Sequence, residues 1–167
     1  MTRLVHVRED DLAPGSLVEP GRWGATIRAC GPSHRAYGRE LLLEGVRRAA
    51  VPAAPSRWTS AFAFESTDAA EWFAAGDSRS FLYAVTAIGE PAMCRADMTW
   101  VTLVREALEA VEVALAADRA LAYWQGESCE RHHRDSVPRW ELVVGGPLRI
   151  VELLGVVEAT PPSAGQR

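Results

Sequence analysis

Three sets of polar residues stand inside segments whose pattern asks for apolar ones, and any chemistry in this chain is sought there first. His6 lies between Val5 and Val7, the Arg57 to Ser60 group opens the aromatic run that reaches Phe62 and Phe64, and Glu141 begins the apolar stretch W-E-L-V-V. A neutral imidazole both donates and accepts a hydrogen bond, so it suits an uncharged partner. A guanidinium presents a fork that matches carboxylate or phosphate oxygens two at a time. A carboxylate on a strand is either solvated at its edge or held in a cleft for the sake of its charge. Each also has a plain reading: His6 as a satisfied core histidine, Phe62 and Phe64 as core. Cys129, His132 and His133 could begin a metal site, but zinc needs four ligands and the chain has no second Cys/His cluster, so no metal is expected. A Ser/His/Asp hydrolase is open to the residue list, yet no G-x-S-x-G elbow occurs.

These groups must be positioned by the elements that the sequence pattern predicts. Arg3 to Arg8 alternates as a short strand and stops at Glu9, Asp10, Asp11 and the Pro14-Gly15 turn. From Gly31 to Pro52 the spacing of Tyr37, Leu41, Leu42, Gly45 and Val46 predicts an amphipathic helix. Ser56 to Glu65 alternates and reads as a strand, with Trp58, Ser60, Phe62 and Phe64 on one face. Ser66-Thr67-Asp68 caps a helix from Asp68 to Ala75, and Ser80 to Ile88 reads as a buried strand. Thr99 to Ala122 reads as one long helix, followed by a polar loop from Gly126 to Arg139 and two strands, Trp140 to Val144 and Leu148 to Val157. The mixture lacks regular βαβ alternation, which makes the class α+β. A single domain over residues 1–159 is expected, with residues 160–167 as a flexible tail.

Composition removes several function classes. All 18 positive residues are Arg, and the chain of 167 residues has neither Lys nor Asn. A Walker phosphate loop, a Schiff-base enzyme, a protein kinase and an N-glycosylation site each need one of them. The net charge of -4 supplies no bulk basic field for nucleic acid or an anionic membrane. Arg35, Arg39, Arg47 and Arg48 read as a solvated helix face. The nucleic-acid alternative requires them to form one patch with Arg131, Arg134 and Arg139. No run approaches the roughly 20 apolar residues of a membrane span, and three scattered cysteines read as reduced thiols, so a cytoplasmic protein is expected.

The ordered motifs carry a resemblance. V-H-V-R-E-D-D-L-A-P-G-S-L-V-E-P-G, Val5 to Gly21, resembles the start of the rifamycin ADP-ribosyltransferases, where a first-strand His precedes P-G-D-L-L-T-P-G. F-E-S-T-D-A-A-E-W, Phe64 to Trp72, is similar to their second motif, an aromatic strand that runs into a helix. W-E-L-V-V-G-G-P-L-R-I-V, Trp140 to Val151, resembles the strand of poly-ADP-ribose polymerases that bears the catalytic Glu, here Glu141. The chain also resembles an uncharacterised bacterial family with P-S-R-x-x-S-x-F-x-F-E, Pro55 to Glu65 here, and a later Tyr-Trp, here Tyr123-Trp124.

What the resemblance implies is a split two-sheet ADP-ribosyltransferase fold that binds NAD, as substrate, in a cleft between two small sheets. It implies transfer of ADP-ribose to an acceptor nucleophile (a small molecule, protein or nucleic acid) with release of nicotinamide. In those terms His6 holds a ribose hydroxyl or the nicotinamide amide, and Trp58, Phe62 or Phe64 gives the ring an aromatic face. Arg57, or more weakly Arg22, takes the pyrophosphate. Glu141 holds the ribose 2'-hydroxyl and stabilises the cation that develops as the glycosidic bond breaks. The second motif lacks the family's Tyr; Ser60 is the substitute. Arg139 stands two residues before Glu141, where the Arg-modifying relatives carry Glu, which favours an anionic acceptor. Asp97 is the competing catalytic acid, with a helix N-terminal acid before Thr99 as its structural alternative. NAD hydrolysis, an NAD-consuming biosynthetic step, and an inactive nucleotide- or partner-binding module of the same fold are the other readings.

Overall fold

The computed structural model describes residues 4–75, 78–131 and 137–159. The alternation of the first segment becomes β1 (Leu4–Arg8), with Val5 and Val7 on one face and Leu4 and His6 on the other. A two-residue strand, β2 (Leu17–Val18), follows, then α1 (Arg22–Cys30) and α2 (Tyr37–Ala50). Helix α1 begins at Gly21, whose φ of 89° lies in the left-handed region that glycine tolerates, and its N–H donates to the Ser60 carbonyl at 2.9 Å. Gly24 lets α1 lie directly on the chain at Trp58, because a Cβ there would meet the Trp58 carbonyl oxygen at 2.0 Å.

Next come β3 (Ala61–Phe64), α3 (Thr67–Ala74), β4 (Ser80–Ala87) and β5 (Met93–Asp97). Ser66 caps α3 through its hydroxyl, which accepts from the Ala69 N–H. Then α4 (Thr99–Glu109) and α5 (Val113–Trp124) lead to β6 (Trp140–Val144) and β7 (Leu148–Val157).

Among the described residues the strands form one antiparallel sheet in the order β2-β7-β4-β1-β3-β6-β5. Helices α2 to α5 cover one face, where Val5, Phe64, Leu82, Ala96 and Val143 meet Leu43, Val104, Ala120 and Trp124. Tyr83, Val85, Val144 and Ile150 pack on the other face with Val18 and Leu12. The ladder is uneven at its centre. β1 pairs with β4 along its whole length, from Leu4 opposite Val85 to Arg8 opposite Phe81. On its other side it meets β3 only at Val5 opposite Phe64. The sheet therefore has a seam between two half-sheets, β2-β7-β4-β1 and β3-β6-β5.

The α+β class and the strands at β4, β6 and β7 agree with the sequence expectations; the expected two small sheets are one seven-stranded sheet, and three segments differ. The expected strand from Ser56 to Glu65 is a strand only over Ala61–Phe64. Residues 56–60 form a turn, closed by the Thr59 N–H and the Ser60 hydroxyl on the Ser56 carbonyl. The expected helix from Gly31 opens instead as a short turn at Gly31–Ser33, and α2 starts at Tyr37. Its buried face runs through Ala36, Glu40 and Leu43, leaving Leu41 half exposed. The expected single helix from Thr99 to Ala122 is two helices that break at Val111. Helix α1 and strand β5 had no sequence assignment. The tail from Thr160 and the metal candidates His132 and His133 lie outside the described residues. No helix among those described is long and apolar enough to cross a membrane.

Candidate functional site

The turn at residues 56–60 points Arg57 into the interior beneath the helices, 6% exposed. Its Nε donates to Glu40 on α2 at 3.0 Å, and its NH1 donates to Glu141 on β6 at 2.6 Å and to the Tyr123 hydroxyl on α5 at 2.5 Å. Tyr123 in turn donates to the same Glu141 oxygen at 2.8 Å. The guanidinium lies over Phe62, 4.7 Å from the ring centre, and 5.3 Å from that of Tyr123. Arg39 supplies a second cation by donating to the other Glu40 oxygen at 2.9 Å. Two carboxylates and two guanidiniums thus balance in the interior, which is the condition for burying charge at all.

Burial opposes the Arg57 charge, but Glu141 and Glu40 outweigh it and raise the guanidinium well above its ordinary range. Burial likewise opposes the Glu40 charge, and Arg57 and Arg39 reverse the balance, holding its carboxyl below the usual value. For the Tyr123 phenol, burial and then the Glu141 charge outweigh Arg57 and push it well above its ordinary range. The phenol therefore acts as a hydrogen-bond donor and not as a base.

His6 stands at the seam. Its Nδ1 is 2.6 Å from the Phe62 carbonyl oxygen, and because a carbonyl only accepts, the proton is on Nδ1. That leaves Nε2 as a lone-pair acceptor, buried and without a partner among the described residues. Burial is the main cause that lowers the imidazole from 6.5 to about 4, and the Arg8 and Arg22 charges add to it against the Phe62 bond. The ring is neutral at pH 7.

Asp97 ends β5 fully buried, and its carboxylate accepts the N–H groups of Thr99 at 3.0 Å, Cys129 at 2.9 Å and Arg139 at 3.0 Å. Burial works against its charge, and these donors more than offset it, so its carboxyl is held below the usual value. The alternative of a helix N-terminal acid before Thr99 matches this geometry. Asp97 also joins Cys129 and Arg139, near the two ends of the polar segment that precedes Glu141.

The structure thus brings Arg57, Phe62 and Glu141 together, and adds Glu40 and Tyr123. Ser60 spends its hydroxyl on the Ser56 carbonyl at 2.7 Å, and Phe64 is a core residue whose ring is tilted against that of Phe73. His6 and Glu141 lie on opposite faces of the sheet, since Val5, Phe64 and Glu141 share one face and His6 neighbours Val5. Their backbones are nonetheless only two strands apart, roughly 10 Å. Glu40 was missed because its carboxylate sits on the buried face of α2, one position off the expected stripe. The motif residue Tyr123 was in view without a role.

Arg39 and Arg47, expected on a solvated face, are largely buried against Glu40 and Glu44. Among the described residues no group of His, Cys, Asp or Glu could hold a metal ion, and the three cysteines are unpaired. A family model described as "Protein of unknown function (DUF2441)" matches residues 19–155, which span α1 to β7 and include Arg57, Tyr123 and Glu141 but not His6. No curated protein matches the chain.

Proposed function

We propose that this chain, which belongs to the family of unknown function DUF2441, is an NAD-dependent ADP-ribosyltransferase whose nucleotide site is the seam between β1 and β3. The observation that carries the reading is the orphaned His6 Nε2. It is a neutral acceptor, buried where β1 and β3 share a single residue pair, and it suits a ribose hydroxyl. An unsatisfied buried acceptor costs on the order of 1–3 kcal/mol, which a hydroxyl donor from a ligand would recover.

NAD supplies the glycosidic bond whose cleavage releases neutral nicotinamide. In this reading Glu141 provides the fixed negative charge from the opposite face of the sheet, two strands from His6 and reached through the seam, and Arg57 with Tyr123 fixes the direction of its carboxylate. Such a preorganised charge stabilises the cationic transition state without reorganisation during the reaction. Arg57 fits the pyrophosphate poorly, because Glu40, Glu141 and Tyr123 already take its donors. The acceptor's bond forms at the ribose carbon that nicotinamide leaves, and its proton passes to solvent. Arg139, two residues before Glu141, favours an anionic acceptor in this reading.

Nicotinamide release from NAD tests this. Glu141→Gln keeps the shape and the hydrogen bonds but removes the charge, so release should fall about 100- to 1000-fold while NAD binding changes little. Equal turnover in the folded variant would refute the role of Glu141.

The engagement of Glu141 Oε1 by Arg57 and Tyr123 behind the sheet favours a second reading, a binding module of the same fold without catalysis. Calorimetric binding of NAD by the wild type with no nicotinamide release would select it.

A further inference from the structure

Four buried side-chain nitrogens have no hydrogen-bond partner among the described residues, and three of them belong to β1 and the start of α1: His6 Nε2, Arg8 Nε and Trp23 Nε1. His6 and Arg8 are alternate residues of β1, hence on the same face and roughly 7 Å apart along the strand. Helix α1 reaches this place because the Gly21 N–H is bonded to Ser60, two residues along from Phe62, the anchor of the His6 ring. Its first turn contributes Arg22, whose charge is felt at His6.

Both guanidiniums converge on one carboxylate, that of Asp10, through Arg8 NH2 and, at 2.7 Å, Arg22 NH1. Asp10 is half exposed, and the guanidiniums hold its carboxyl below the usual range. The segment is pinned over the His6 face by Tyr83, the cross-strand partner of His6: its hydroxyl accepts the Leu12 N–H at 2.7 Å and lies 3.3 Å from the Asp10 carbonyl oxygen. A carboxylate bridging two guanidiniums occupies a position that a phosphate would favour. Beside it His6 Nε2 lacks a hydroxyl donor.

We propose that His6, Arg8 and Arg22 form a site for a ribosyl phosphate, with Asp10 as an intramolecular stand-in that the phosphate displaces. The phosphate bridges the two guanidiniums, and a sugar hydroxyl donates to His6 Nε2. This rests on the NAD reading for the larger nucleotide, and it moves the phosphate from Arg57 to Arg8 and Arg22. The ligand needs both groups at once: inorganic phosphate lacks the hydroxyl, and free ribose lacks the charge.

Titration calorimetry with ribose 5-phosphate and, separately, inorganic phosphate tests the site on the whole chain, with a thermal melt to show that each variant is folded. Asp10→Asn removes the competing carboxylate and should tighten ribose 5-phosphate about tenfold, whereas Arg22→Gln, on an exposed side chain, should weaken it about tenfold. His6→Ala should erase the preference for ribose 5-phosphate over inorganic phosphate. Unchanged affinity in Asp10→Asn and Arg22→Gln overturns the proposal, and so does a wild type and Asp10→Asn that both fail to bind. Ribose 5-phosphate binding as expected, without nicotinamide release, leaves the site standing and removes the transferase reading. Nicotinamide release that is indifferent to Asp10 and Arg22 does the reverse.

Discussion

The Arg57 guanidinium illustrates how one residue can be needed for the fold and still be assigned to a ligand by sequence reasoning. Its fork, suited to a pyrophosphate, is instead closed by two carboxylates and a phenol of the same chain. Removing one partner from such a network leaves the other charge buried and uncompensated, which costs more than the pair contributes. His6 stores free energy differently. Its value of about 4 lies below the ordinary 6.5, so between those pH values the unfolded chain binds a proton that the folded chain refuses. Stability is then complete above pH 6.5, falls as pH drops toward 4 and levels off below it. The loss from this group amounts to about 3 kcal/mol at pH 4. Urea unfolding at pH 7 and pH 4.5 should show the slope in the wild type and a shallower one in His6→Gln. Equal slopes would mean that His6 takes up its proton as readily in the folded chain as in the unfolded one.

At the scale of elements, the break between α4 and α5 shows what periodicity cannot see. Apolar spacing continues from Trp100 to Leu115, and no Gly or Pro interrupts it, so the pattern reads as one helix. The chain nevertheless ends α4 in a left-handed cap: the Glu112 N–H donates to the Ala107 carbonyl at 2.8 Å, and the Val111 N–H to the Leu108 carbonyl at 3.0 Å. Val111 occupies the position that glycine normally takes, with φ 62° and 81% exposure. A β-branched residue there costs roughly 1–2 kcal/mol of backbone strain. Val111→Gly gives part of that back to unfolded-chain entropy. It should therefore raise stability by about 0.5–1 kcal/mol in urea unfolding, whereas Val113→Gly, inside α5, should lower it.

The strands were legible for the opposite reason. Alternating or continuous apolar runs at β1, β4, β6 and β7 answer to a sheet with one helix-covered face. Residues 56–60 alternate just as well, yet form a turn. The Ser60 hydroxyl on the Ser56 carbonyl and the Trp58 N–H on the Ser56 hydroxyl are local side-chain effects that alternation does not encode. The seam and the opposite facing of His6 and Glu141 depend on register, which no single segment carries.

For the whole molecule, the proposed function requires one substrate to reach both His6 and Glu141, and the seam decides how. The two half-sheets are joined along it by the Val5–Phe64 pair, by the His6 ring on the Phe62 carbonyl, and by α3, which packs on β1, β3 and β4 alike. Parting them beyond Val5 breaks no ladder, whereas parting β4 from β7 breaks one that runs from Ser80 to Ala87. Local opening is therefore expected at the seam before anywhere else in the sheet. Amide hydrogen exchange should show it: amides of β1 that face β3 exchange faster than those of β4 and β7, and ADP-ribose slows them selectively. Protection that is uniform across the sheet, or slowed by ADP-ribose only at sites remote from β1 and β3, would place the nucleotide elsewhere and leave Glu141 as part of a structural network alone.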